Sequence, residues 1–411
     1  MERKEARSAM EELLRKALRD AVAKTKRNAL RHGDRFPYIT EEKRYDWRDA
    51  NNEWIEGFYA GLAWLGYEFE GDAALGDAAR RLTARLVERM DANRAMGHHD
   101  IGFLYSLSTK AEWLVDGAEA ARERTVQAAD VLMERWRPAG RYLQAWGEEG
   151  HAEHGGRIII DCLMNLPLLF WATDTTGKPS YREAAEVQAA RSLKYLMRGD
   201  GSTYHTFRFE PTTGEPIRGE THQGYRDGST WARGQAWAIY GFALVYRYTG
   251  ERRYLDAAAR AAAYFLSRLP EDGVAHWDFD APRHGLDNRD SSASAIALCG
   301  LLEIGLHLEV SDPERDTFRE ASERMLRALI ESYSTLDDPD AEGLLRHGAY
   351  NVLAGKGPDD YMIWGDYYYV EALMRVAKGV NGYWYERKRD NEGDVSRGYG
   401  IRTEERPEWT A

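Results

Sequence analysis

Two aspartates stand out as residues that could do chemistry. Asp100 lies in His98-His99-Asp100-Ile101-Gly102-Phe103 and Asp161 in Gly156-Arg157-Ile158-Ile159-Ile160-Asp161-Cys162, each where a loop turns into a strongly apolar helix. An ionised carboxylate beside that much apolar surface is costly unless it is paired or hydrogen-bonded. Two of them in matching places predict one shared pocket. The bland alternative makes each an N-cap that accepts from free backbone N–H groups, worth about 1 kcal/mol. The sharper one is acid/base work on a sugar bond, which requires one carboxyl protonated and the other ionised. Helix N-termini lower a carboxylate pKa, whereas apolar walls and a like charge raise it, so such a pair can split.

Other residues are placed to serve such a pocket. Trp54, Phe58, Trp146, Trp231 and Trp237 offer aromatic faces for sugar stacking, with core packing as the alternative. Trp231-Ala232-Arg233-Gly234-Gln235-Ala236-Trp237 sets an arginine at a helix start. Its fork could grip a carboxylate in a bidentate way, or form a structural ion pair with Asp290 or Asp366. His205 and Gln223, in the loops before this helix, are candidate polar contacts. His98 and His99 are adjacent, so on regular structure their side chains diverge, and His151 and His154 lack a third ligand in frame; no metal is expected. There is no phosphate-binding loop, dinucleotide fingerprint or Gly-x-Ser-x-Gly elbow, so no cofactor is expected.

The elements that must position these residues repeat a pattern of polar loop, apolar helix, turn and amphipathic helix. The apolar helices begin near Trp54, Asp100, Asp161, Arg233, Asp290 and Asp366, and the turns after them look alike, as in Thr176-Gly177-Lys178 and Thr249-Gly250-Glu251. Helices that are apolar all round must be enclosed, and amphipathic ones must face water. An all-α double ring follows, with the loops before the inner helices meeting at one mouth. We expect a single domain over residues 1–411, in which an amphipathic helix at 1–26 supplies the last outer member and 386–411 is a polar tail. The stretch from Arg31 to Asn52 reads as a long surface loop. Strand candidates are short, around Thr203 to Phe209 and Gly273 to Phe279, and read as loop hairpins.

Composition narrows the class. The 411 residues are 43% hydrophobic and 30% charged, with no run of apolar residues long enough for a membrane span. A formal net charge of −12 disfavours nucleic acid and anionic membranes as partners. Cys162 and Cys299 sit in apolar helical stretches, as buried structural thiols do. The amino terminus has no secretory pattern, so a cytoplasmic location is expected. Nothing in the sequence specifies an oligomeric state.

With these residues in view, the chain resembles the unsaturated glucuronyl hydrolases, glycoside hydrolase family 88. The matching stretches are His99-Asp100-Ile101-Gly102-Phe103, Arg157-Ile158-Ile159-Ile160-Asp161, Trp231 to Trp237, Arg289-Asp290-Ser291-Ser292-Ala293 and Ile363-Trp364-Gly365-Asp366-Tyr367. The resemblance implies an (α/α)6 barrel. It also implies release of a terminal 4-deoxy-hex-4-enuronic acid from lyase-generated oligosaccharides by hydration of its C4=C5 double bond. Asp161 matches the general acid/base and Asp100 the second essential carboxylate. His205, Gln223, Arg233 and Trp237 match positions around the uronate, Trp54, Phe58 and Trp146 match aromatic contacts, and His99 belongs to the same substrate-binding set. The unsaturated rhamnogalacturonyl hydrolases share barrel and reaction, but there the arginine segment more often reads Arg-Gly-Asn-Gly-Trp, from which Gln235-Ala236 departs. A barrel sugar epimerase would need paired histidines, and a non-catalytic sugar-binding barrel would tolerate loss of Asp161. The leaving sugar, its linkage and tolerance for sulfate depend on outer loops, Arg346 to Asp360 among them.

Overall fold

The computed structural model describes residues 2–41 and 44–386. Helix α1 (Glu2–His32) is followed by a hairpin, β1 (Phe36–Glu41) and β2 (Arg44–Arg48), and then by α2 (Glu56–Glu70) and α3 (Ala73–Asp91). Next, α4 (Ile101–Ser106) and α5 (Thr109–Asp116) form an inner pair broken at Leu107-Ser108, and α6 (Glu119–Met133) returns outside. Short strands β3 (Trp136–Arg137), β4 (Tyr142–Leu143) and β5 (Arg157–Ile159) lead into α7 (Cys162–Thr176) and α8 (Pro179–Tyr195). Strands β6 (Thr206–Phe209) and β7 (Pro216–Glu220) precede α9 (Ala232–Thr249) and α10 (Arg252–Arg268). Helices α11 (Ser291–His307), α12 (Pro313–Ala328) and α13 (Ile363–Lys378) complete the set.

Helices α2, α4, α7, α9, α11 and α13 each touch the next, and α13 touches α2, so the inner ring closes. Helices α3, α6, α8, α10 and α12 each pack outside the inner helix they follow, and α1 lies against α13, α2 and α3. This is the expected (α/α)6 barrel. Its logic is visible in composition: Ser291 to Gly305 of α11 are all buried, whereas α10 buries only one stripe, including Tyr254, Ala258, Ala261 and Phe265. The similar turns share one device. Gly71, Gly117, Gly177, Gly250 and Gly379 take left-handed backbone angles and donate their N–H to a carbonyl of the helix they end.

Two expectations change. The stretch from Arg31 to Asn52 is not a surface loop: α1 runs to His32, and the hairpin after it buries Phe36, Tyr38 and Tyr45. Tertiary contacts decide this, because Glu342 accepts from the Tyr45 N–H and the Trp47 Nε1–H at 2.9 Å each, and the Tyr45 hydroxyl donates to Asp366. Helix α13 begins at Ile363, so Asp366 lies within its first turn and not at its start, and it also accepts from the Leu345 N–H at 3.0 Å. The polar tail expected at 386–411 lies, apart from Glu386, outside the described residues.

The far end of the barrel is plugged by residues 380–386. Trp384 is fully buried and its Nε1–H donates to Glu371 at 2.9 Å. Beside it, Arg375 bridges Glu371 (2.9 Å) and Glu303 (3.0 Å), all three buried. These groups sit near the C-terminal ends of α11 and α13, which leaves the N-terminal end of the inner ring as the mouth.

Candidate active site

Asp100 and Asp161 both occupy N-cap positions, of α4 and α7, yet neither side chain makes a capping bond. Asp290, at the start of α11, does cap, accepting from the Ala293 N–H. The capping explanation therefore fails for the first two aspartates and holds for the third. What fixes Asp161 is the small sheet before it: β5 pairs with β6, and the Ile160 N–H donates to the His205 carbonyl at 3.0 Å. Asp161 and His205 are thereby held together at the mouth.

The two aspartates meet through Asn165 of α7. Its Oδ1 accepts the Phe103 N–H at 2.9 Å, its amide donates to the Asp161 carbonyl at 3.2 Å, and it also stabilises the Asp100 anion. Helices α4 and α7 approach so closely here that a Cβ on Gly102 would lie 2.5 Å from the Asn165 Cα. No side chain fits at that position.

The environments of the two carboxyl groups differ sharply. Burial pushes Asp161 up to about 8, with the neighbouring Asp100 charge adding to the effect and Arg233 opposing it; its Oδ1 is buried without a partner. Burial acts on Asp100 too, but His99, His98 and Asn165 outweigh it and hold that group below the ordinary carboxylate range. His98 Nδ1 lies 3.4 Å from Asp100 Oδ2, and His99 Nε2 lies 3.4 Å from Oδ1. The arrangement pairs an acid that keeps its proton at neutral pH with an anion surrounded by donors.

Around the pair, His205 lies 4.1 Å from the Trp231 ring, and its Nδ1 accepts the His222 and Gln223 N–H groups at 3.1 and 3.2 Å. Burial depresses its basicity, so the ring is neutral with its proton on Nε2, a donor. Arg233 reaches Asp290 Oδ2 (2.7 Å), Gln223 Oε1 (2.8 Å), the Tyr350 carbonyl (3.0 Å) and the Ala349 carbonyl. Of the two roles the sequence allows it, the ion pair with Asp290 is formed, and both Nη atoms are occupied. Trp54 keeps part of its surface and donates to the Tyr350 hydroxyl at 3.3 Å; Trp146 lies 5.3 Å from both the His222 ring and the Arg157 guanidinium. Phe58 and Trp237 are fully buried against Phe103 and Tyr368, so they build the floor and present no free stacking face.

The model of Glycosyl Hydrolase Family 88 matches residues 31–383. The chain is 53% identical to an unsaturated glucuronyl hydrolase of Bacillus sp. (strain GL1) over 91% of its own length and 99% of that protein's. The chain belongs to glycosyl hydrolase family 88. An unsaturated chondroitin disaccharide hydrolase of Streptococcus agalactiae is 45% identical over 81% of this chain and 84% of its own. The crystal structure of the Bacillus sp. GL1 enzyme superimposes with a TM-score of 0.89, covering 92% of this chain and all of that one.

In this family 88 chain, the convergence of His98 and His99 on Asp100 and the part played by Asn165 escaped the sequence. His98 and His99 do not diverge: the chain is irregular here, so the alternation of regular structure does not apply, and both rings turn toward Asp100. Asn165 gave no signal beyond its place one turn after Asp161, where a polar side chain in an apolar helix was the available clue.

Proposed function

We propose that this family 88 hydrolase removes the terminal 4-deoxy-hex-4-enuronic acid from unsaturated disaccharides released by polysaccharide lyases, with Asp161 as general acid/base and Asp100 as its ionised partner. The observation that carries the assignment is the asymmetry of the pair: donors from His98, His99 and Asn165 converge on Asp100, while Asp161 Oδ1 has none. In this reading Asp161 gives its proton to C4 of the enol ether. Positive charge then builds at C5 and the ring oxygen, and the Asp100 anion eases it. Water adds at C5 and returns its proton to Asp161. The hemiketal so formed opens and releases the neighbouring sugar, so no proton is gained or lost overall.

The substrate class follows from the relatives, whose names specify unsaturated glucuronyl and unsaturated chondroitin disaccharides. Among the predicted residues, the His205 Nε2–H, the unpartnered Trp237 Nε1–H and the exposed parts of Trp54, Trp146 and Gln223 have capacity left for substrate. Arg233 serves by tying the 349–350 loop and Gln223 to α9 and α11. Gln235, which separates this sequence from the rhamnogalacturonyl pattern, is spent inside the protein on Gly201, Ala261 and Thr203. It therefore marks lineage more than substrate contact. Among the described residues no helix is long and apolar enough to cross a membrane. We assign the activity to the cytoplasm, in keeping with two free buried thiols.

The test is incubation with lyase-generated unsaturated disaccharides from chondroitin, hyaluronan, gellan and pectin, following the ultraviolet absorbance of the enol ether. Loss of absorbance with release of reducing sugar from a glucuronyl substrate supports the proposal. Turnover of the pectin fragment alone favours the rhamnogalacturonyl alternative, and no turnover of any favours the non-catalytic one.

A further inference from the structure

Behind the active-site pair lies a buried cation. Arg89 of α3 has no exposed side-chain surface, and all its donor atoms are engaged. Nε donates to the Arg94 carbonyl (3.1 Å), Nη1 to the Glu53 carbonyl (2.6 Å) and Glu56 Oε2 (3.2 Å), and Nη2 to the Ala95 carbonyl (2.7 Å). The remaining Nη2 contact is His98 Nε2 at 3.2 Å.

A guanidinium can only donate, so His98 must present a lone pair at Nε2, and the neutral ring then carries its proton on Nδ1. That nitrogen lies 3.4 Å from Asp100 Oδ2. The Asp100 backbone N–H donates to the same nitrogen at 3.1 Å, a bond this tautomer gives up, since one nitrogen cannot both carry a proton for Oδ2 and accept another. The opposite tautomer would satisfy that N–H and turn a second N–H against a buried cation. Arg89 decides between them. We infer that Arg89 is a positioning residue for the reaction: it selects the His98 tautomer whose Nδ1–H donates to the Asp100 carboxylate. His98 is thus a relay, and Arg89 acts on the active site without reaching it. The inference rests on the proposed role of Asp100 as the ionised partner.

Two side chains separate the ring's two ends. His98→Asn places an amide N–H close to the Nδ1 position, while His98→Gln places its amide near Nε2, facing Arg89, and offers nothing to Asp100. The Asn variant should keep kcat within about tenfold of the parent. The Gln variant should lose roughly 10- to 100-fold in kcat with KM little changed, the scale of one charge-assisted hydrogen bond. A merely structural role predicts equal losses, or a better Gln variant, and either result overturns the inference. Because Arg89→Met strands Glu56 and can unfold the chain, the second measurement uses the parent protein. Nitrogen-15 NMR of its histidine rings, with the His98 signals assigned by their absence in His98→Asn, should show Nδ1 protonated and Nε2 bare. A protonated Nε2 overturns the inference. This readout needs no substrate, so failure of the proposed function leaves the tautomer decidable.

Discussion

Replacing Asp161 with Asn should abolish turnover and stabilise the fold in one step. The fold holds the Asp161 proton until a pH of about 8, whereas an unfolded chain releases it near 3.8. At about 1.4 kcal/mol per tenfold, ionisation is opposed by up to roughly 5–6 kcal/mol. The side chain is only partly buried, so water at the mouth screens this to the order of 2 kcal/mol. The sign follows from which state holds the proton. The folded protein binds it and the unfolded chain does not, so stability is lost as pH rises from about 4 to about 8. Asn carries no such liability: the variant should match the parent near pH 4 and exceed it from pH 8 upward, with a melting temperature higher by roughly 2 °C for a chain of 411 residues. Activity moves the other way. Loss of a group that both protonates carbon and activates water lowers kcat by on the order of 10²–10⁴. The assay pairs thermal melts at pH 4.5 and 8 with absorbance kinetics on an unsaturated chondroitin disaccharide. Retention of activity within tenfold, or a melt that is no higher at pH 8, would refute the assignment.

Other outcomes follow from the same geometry. In the parent, kcat should fall as pH rises through about 8, and in Asp100→Asn the residual activity should fall at a lower pH, because burial alone then holds the Asp161 proton. A limb that moves upward contradicts the coupling. Arg375→Met leaves Glu303 and Glu371 buried without their shared cation and should cost about 3–5 kcal/mol, read as a lower urea midpoint. The exposed Arg319→Met should change it by less than about 0.5 kcal/mol.

The barrel was legible because its rules are local. Apolar helices such as 291–307 cannot face water, and the glycines after Thr176 and Thr249 end helices wherever they occur. The carboxylates were legible for the same reason, since an aspartate ahead of Ile101 or behind Ile160 is out of place unless it has work. What escaped depends on partners distant in sequence. The hairpin at 36–48 reads as loop until Glu342 and Asp366 are brought to it. The choice of Arg233 between substrate grip and ion pair needed the Asp290 distance, and the convergence of His98 and His99 needed the irregular backbone between Met96 and Asp100. The plug at 380–386, with Trp384 on Glu371, had no signal in the order of residues at all.

Asp161 holds a proton at neutral pH while Asp100 does not, and infrared spectroscopy reads this directly. The difference spectrum of the parent minus Asp161→Asn, recorded from pH 5 to 10, cancels other buried acids such as Glu56 and Asp366, each pushed up to about 7 by burial. A protonated-carboxyl band is expected at pH 7, disappearing with a midpoint near 8. A spectrum in which Asp161 is already carboxylate at pH 6 would contradict it.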